Sequence, residues 1–136
     1  MIKLKDIIVE KQDADAGNTY TYTDGDYTYD VKKMWKLATN IKPVKISELE
    51  FLLDEKIWDD DIPRNVLKKK SGPHWERIEK ANLNYPILLH PTGWIIDGFH
   101  RFCKAVSLGK TEINACRFTK SMMQKCILYK GTEIRQ

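Results

Sequence analysis

The residues of this chain best equipped for chemistry lie together in Asp97-Gly98-Phe99-His100-Arg101. An apolar run, Trp94-Ile95-Ile96, leads into them, and Phe99 to Leu108 has the pattern of a helix. A strand, a glycine turn and a helix start carrying two cationic donors present main-chain N–H groups and positive charge to a phosphate. Gly98 lets the backbone turn sharply and approach a ligand with no Cβ in the way. Arg101 offers a planar fork to phosphate oxygens. His100 donates to a phosphate or, when neutral, shuttles a proton. Asp97 at the strand end can hold Mg²⁺ or accept a hydrogen bond from a substrate. Lys104 shares the helix face of Arg101, so the expected phosphate-binding set is Gly98, Phe99, His100, Arg101 and Lys104. The competing description makes Asp97-Gly98 an ordinary turn, with Asp97 as a cap and His100 and Arg101 in solvent.

Other groups carry weaker signals. His74 and Arg77 are spaced to share one helix face and are expected as a second pocket wall; a capping histidine and a surface arginine fit equally. His90 precedes Pro91 and reads as a turn residue. Asp59-Asp60-Asp61 could supply a metal ligand or a general base, although charge runs are usually solvated faces. Tyr20, Tyr22, Tyr27 and Tyr29 could stack bases, but such a ladder is more often cross-strand packing. Lys68-Lys69-Lys70 could touch nucleic acid, but at a helix end it more often complements the dipole. The three cysteines, Cys103, Cys116 and Cys126, are widely spaced and read as reduced, packed thiols of a cytoplasmic protein. Without Cys-x-x-Cys or His-x-x-x-His a structural zinc is not expected.

The elements that must position these groups follow from local signals. With 136 residues the chain favours a single domain, 1–136. Its net charge of +4 is mildly basic, compatible with a phosphate-bearing ligand. No apolar run reaches membrane-spanning length. Met1 to Val9 is expected as a strand and Lys11 to Asn18 as a loop. Thr19–Thr23 and Tyr27–Tyr29 flank Asp24-Gly25-Asp26, a hairpin signal. Asp30 caps a helix with Val31, Met34, Trp35 and Ala38 on one face. Pro43 to Ile46 is a strand, and Ser47 caps a helical turn through Leu53. Pro63 opens a helix through Lys69. A helix from about His74 to Ala81 turns Trp75, Ile78 and Ala81 inward. Tyr85–Leu89 and Trp94–Ile96 are strands around His90-Pro91-Thr92-Gly93. Leu108-Gly109 stops the motif helix, Thr111 to Phe118 is a strand, Lys120 to Ile127 a last helix, and Lys130 to Gln136 frays. Short strands mixed with short helices give an α+β fold: a small mixed β-sheet with flanking helices.

Residues Val44 to Phe118 resemble the ParB/sulfiredoxin-like superfamily. The features occur in order: Pro43-Val44-Lys45-Ile46-Ser47-Glu48-Leu49, His74-x-x-Arg77-Ile78, Asn82-Leu83-Asn84-Tyr85-Pro86-Ile87, then Asp97-Gly98-Phe99-His100-Arg101 with Lys104-Ala105, Leu108-Gly109 and Ile113-Asn114-Ala115. The resemblance implies a family-like core over 43–118, with the hairpin region 1–30 as an N-terminal extension. Phe99 stands where sulfiredoxins carry their cysteine, which excludes their repair chemistry. ParB partition proteins bind CTP and DNA through a Gly-Glu-Arg-Arg motif and a downstream DNA-reading domain; this chain has Gly98-Phe99-His100-Arg101. Free-serine kinases of this fold carry Asp-Gly-His-His-Arg or a near variant, and the present motif is closest to theirs. They place a glutamate after the first family strand. Among Glu48, Glu50, Asp54 and Glu55, Glu50 is chosen here, with Asp54 next.

The resemblance thus implies a nucleotide on the motif: an ATP- or ADP-dependent phosphotransferase or nucleotide hydrolase acting on a small molecule, with Mg²⁺ at Asp97 and catalytic groups Asp97, His100 and Glu50. The alternative is a non-catalytic nucleotide- or DNA-binding module, with nucleic acid as partner. A ParB-like nuclease is the third option; that label follows the fold and proves no activity.

Overall fold

The structure, a computed structural model, describes residues 21–25, 27–58 and 61–130. The expectations for Met1–Val9, Lys11–Asn18, Tyr20, Asp59, Asp60 and residues 131–136 lie outside them. The result is a small mixed α/β protein with two sheets and several short helices. Where one sheet was expected, two form.

The larger sheet has the order β3-β6-β4-β5, with β3 Lys42–Lys45, β4 Ile87–Leu89, β5 Ile95–Asp97 and β6 Glu112–Arg117. β4 pairs parallel with β6 and antiparallel with β5, while β3 runs antiparallel to β6 with Val44 opposite Ile113. β4 reads Ile-Leu-Leu without alternation because both faces of the sheet are covered. Ile87 and Leu89 join one apolar cluster with Ile46, Leu52, Ile78, Phe102 and Ile113. Leu88 points the other way, into a cluster with Trp35, Ile96, Cys116, Phe118 and Met123.

The second cluster is roofed by α1, Val31–Leu37, and by the smaller sheet, order β1-β2-β7. β1, Thr21–Thr23, and β2, Tyr27–Asp30, form the expected hairpin, with Tyr22 opposite Tyr29. Asp30 caps α1 as read, accepting from Lys33 N at 3.2 Å. The hairpin is no appendage, because β7, Ile127–Lys130, pairs with β2 and buries Tyr29 in the core. This corrects the last helix: α5, Lys120–Gln124, is capped by Thr119 and ends early, and Asp30 N donates to Cys126 O at 2.8 Å to start the strand that follows.

On the other face, α2 spans Pro63–Lys69, α3 Pro73–Lys80 and α4 Phe99–Ser107. Ser47 does not cap a helix; two 3-10 turns, Ile46–Glu48 and Glu50–Asp54, occupy that segment, and the first has Lys45 before it with no side-chain cap. Buried Ile46, Leu49 and Leu52 recur every third residue, which suits three residues per turn. α4 carries the chain from edge strand β5 across β4 to β6. It ends in a Schellman arrangement, with Gly109 at φ +70°, Gly109 N on Val106 O and Lys110 N on Ala105 O, both 3.0 Å.

Candidate functional site

A pocket of about 410 Å³ opens where β5 ends and α4 begins. Trp94 to Asp97 form one wall, Gly98, Phe99 and His100 the floor, Lys56 to Trp58 the far side, and Tyr22 of β1 the rim. α4 starts without a side-chain cap. Amides in the first turn of a helix have no acceptor within it, and the aligned peptide dipoles make that end partly positive. Lys56 adds an exposed cation. Trp94 and Tyr22 are half-buried. Tyr22's phenol is pushed up to about 12 by burial and by Asp24, so at neutral pH it keeps its proton and can donate.

Asp97 lies on this wall but is 6% exposed and held from behind. Its Oδ2 accepts from Trp35 Nε1 at 2.8 Å, and its Oδ1 accepts from Gly98 N at 2.9 Å. Trp35 comes from α1 on the opposite side of the sheet, so one ring fixes the carboxylate. The same ring lies 5.8 Å from the Arg101 guanidinium carbon.

Arg101 departs from expectation. Its side chain is fully buried and does not line the pocket. Nη1 donates to Pro86 O at 3.4 Å, beneath the Asp97–Gly98 corner. Its guanidinium therefore sits behind the pocket wall and presents no fork to the pocket. Gly98 also serves another purpose than expected. Its φ is +97°, and a Cβ there would lie 2.7 Å from Ile87 Cγ2 and 3.1 Å from Arg101 Nη1. On the side where a Cβ would project, Gly98 is packed by Ile87 and Arg101, while its backbone remains on the pocket lining.

Lys104 is likewise drawn elsewhere. Its Nζ donates to Glu79 O at 2.7 Å and Ala81 O at 2.8 Å, closing the C-terminal end of α3, where carbonyls lack helical partners. Glu50 is exposed and lines a different pocket with Lys45, Ser47, Lys110 and Thr111, sharing no residue with the first. Asp54 is bound bidentately by Arg64 at 2.7 and 3.0 Å, which holds its carboxyl below the usual range. Asp61 accepts from Asn65, Lys69 and Ile62 N, and these bonds lower its carboxyl in the same way. None of these three carboxylates lines the pocket that His100 floors.

His74 does reach the motif, and Arg77 takes no part in that contact. His74 Nδ1 and His100 Nε2 are 3.1 Å apart, a hydrogen bond whose direction depends on the tautomer. Trp58 stacks on both rings, 4.1 Å and 15° from His74 and 5.2 Å and 14° from His100. Sequence reasoning passed over Trp58, which directly precedes the acidic run Asp59-Asp60-Asp61. A tryptophan beside a charge run, with a proline soon after, was the available signal for a loop that folds inward. His90 is a turn residue as read: its Nδ1 accepts from Thr92 N at 3.1 Å, and its Nε2 lies 3.3 Å from Asp24 Oδ2. Tyr22 packs across the hairpin on Tyr29 at a centroid distance of 6.2 Å, and Tyr27 lies 6.3 Å from Tyr29 along the same strand. All three cysteines are free and buried. Burial pushes the Cys103 thiol far above its ordinary value.

Among the described residues no group of three or more His, Cys, Asp or Glu is placed to hold a metal, and no helix is long and apolar enough to cross a membrane. Comparison with protein-family models, with curated proteins and with solved structures gives no match.

Proposed function

We propose that the β5–α4 pocket binds a nucleoside phosphate of the ATP or ADP kind, and that the protein is a phosphotransferase or nucleotide hydrolase acting on a small molecule, with a ParB/sulfiredoxin-like fold nearest to the free-serine kinases. One observation carries the reading: an open pocket at the uncapped start of α4, lined also by Lys56 and His100 and by the rings of Trp94 and Tyr22. The amides and Lys56 receive phosphate oxygens. The two rings offer faces to a base.

Phosphoryl transfer asks a protein mainly to position the reactants and neutralise charge. Mg²⁺ carried on a nucleotide needs one or two protein carboxylates, and Asp97 is the carboxylate on the described lining. Such an ion would supply charge neutralisation at the phosphates. His100, whose ring is held by Trp58 and His74, is the group placed to move a proton at the pocket floor.

Titration calorimetry with ATP and ADP tests the reading. Binding should weaken roughly tenfold in Lys56→Glu, a change of about 1.4 kcal/mol, because Lys56 is exposed and its loss spares the core. Arg101→Ala, the variant the sequence alone would select, removes a fully buried side chain and so reports on folding. No heat with either nucleotide, or equal affinity in wild type and Lys56→Glu, would remove the proposal.

A further inference from the structure

We infer that the outward side of α1, together with Lys125, binds the phosphodiester backbone of a nucleic acid duplex without reading its bases. This surface is independent of the nucleotide pocket, and its residues lie outside the 43–118 segment that carries the family resemblance. The motivating pattern is a segregation of charge. No Asp or Glu occurs from 31 to 47 or from 113 to 130, while Lys and Arg recur through both stretches. Apart from Asp24 and Asp30, the described acidic residues fall between Glu48 and Glu112, interleaved with basic ones. Asp30 serves as the α1 cap.

The fold brings the two stretches together. α1 buries Val31, Met34 and Trp35 in the second apolar cluster. A helix that buries those positions turns Lys32, Lys33 and Lys36 to its opposite side, and all three are exposed. α5 packs beside α1, with Met123 in the same cluster. Asp30 N donates to Cys126 O at 2.8 Å, which sets exposed Lys125 next to the start of α1. Lys33 is near enough to act on Cys126: burial pushes that thiol up, and the Lys33 charge opposes the shift. Among the described residues no carboxylate pairs with Lys32, Lys33, Lys36 or Lys125. Ammonium groups gathered this closely repel one another, and a row of phosphates relieves that repulsion while releasing its own counterions. Two features choose the partner. Proteins grip single strands by stacking bases on aromatic rings, and the one aromatic ring of α1, Trp35, is buried. A helix that lies on a membrane dips large apolar side chains into the lipid, and Val31, Met34 and Trp35 face the core instead.

Fluorescence anisotropy with a labelled DNA duplex, titrated with the full chain over a range of salt, tests the surface. Four phosphate contacts predict a slope of about −3.6 in log K against log salt, a fall of about a hundredfold between about 50 and 200 mM. The triple variant Lys32→Gln, Lys33→Gln, Lys36→Gln should bind about tenfold or more weakly at low salt, with the slope flattened to about −1. A duplex of scrambled sequence should bind as well as the first. The matched control is Lys68→Gln, Lys69→Gln, Lys70→Gln at the end of α2, which removes the same charge from another element and should bind like wild type. Far-UV circular dichroism and the urea midpoint verify that both variants remain folded. No binding at low salt, or an equal loss in the two triple variants, would overturn the inference. Tighter binding to the single strand, or to phosphatidylserine vesicles, would overturn it by giving the surface a different partner. ATP calorimetry should be unchanged in the α1 variant, so failure of the nucleotide reading and failure of this one are read separately.

Discussion

Gly98→Ala should be among the costliest single substitutions in this protein, for a reason unrelated to any ligand. The residue sits at φ +97°, where an L side chain is strained by about 1–3 kcal/mol. The added Cβ would also meet Ile87 Cγ2 at 2.7 Å and Ile87 Cβ at 3.1 Å, in the fully buried middle of the sheet. Overpacking of this kind costs about 1–3 kcal/mol. Together these give a loss of about 4 kcal/mol, or a fall in Tm of roughly 15 °C for a chain of this size. Urea unfolding followed by tryptophan fluorescence measures the loss directly, with an unchanged m-value showing that the two states compared are the same. Ile87→Ala removes Cγ2 and by itself costs about 2–5 kcal/mol through the cavity it leaves. In the double variant the short contact is gone, so the two losses should fall short of additivity by about 1–2 kcal/mol. A Gly98→Ala cost under about 1 kcal/mol, or additivity within about 0.5 kcal/mol, would refute the packing argument and return Gly98 to the role of clearing space for a ligand.

Three further outcomes follow from bonds at the site. Trp35→Phe removes the donor to buried Asp97 Oδ2 and should cost about 2–3 kcal/mol by denaturant unfolding; a change within 0.5 kcal/mol would mean the 2.8 Å bond contributes little. Lys104→Met keeps the aliphatic stem but loses both bonds to Glu79 O and Ala81 O, so amide exchange in the last turn of α3 should speed up and stability fall by about 1 kcal/mol, with nucleotide affinity unchanged; a lost affinity would restore Lys104 to the phosphate set. Tyr22 is raised to about 12 by burial first and Asp24 second, so between the unfolded value near 10 and that value the native state binds more protons than the unfolded one. Its contribution is complete below pH about 10 and is lost as pH climbs toward about 12; Tyr22→Phe should flatten that alkaline decline, and an identical decline in both proteins would contradict the assignment.

Much of the fold was legible because its signals are local. Asp30 as a cap, Pro63 at a helix start, Gly109 past a helix end and the Asp24-Gly25 hairpin each act within a few residues, and each appears in place. The misreadings share a different cause. The bond from Trp35 to Asp97 spans 62 residues, and the strand Ile127–Lys130 exists because β2 offers it an edge. Neither partner is visible from the other's neighbourhood. The motif was found, but the direction of its side chains was not. Arg101 shares its helix face with Ala105, one turn on, which is also buried, and that spacing was the usable warning that the guanidinium turns inward. Lys104 was assigned to the pocket by spacing from Arg101, whereas the exposed carbonyls of α3 are closer neighbours than any ligand. Position in a motif fixes where a Cα lies; which cavity the side chain enters is decided by what packs against it.

The smaller sheet also orders events during synthesis. The hairpin that carries Tyr22 to the pocket rim is braced by β7, a strand translated about a hundred residues later. A ribosome-bound chain that has released α4 but not Ile127–Lys130 already holds the glycine corner and both histidines, yet lacks the strand that steadies the rim. Emergence of Ile127–Lys130 is the step that completes the support of the hairpin behind the Tyr22 rim.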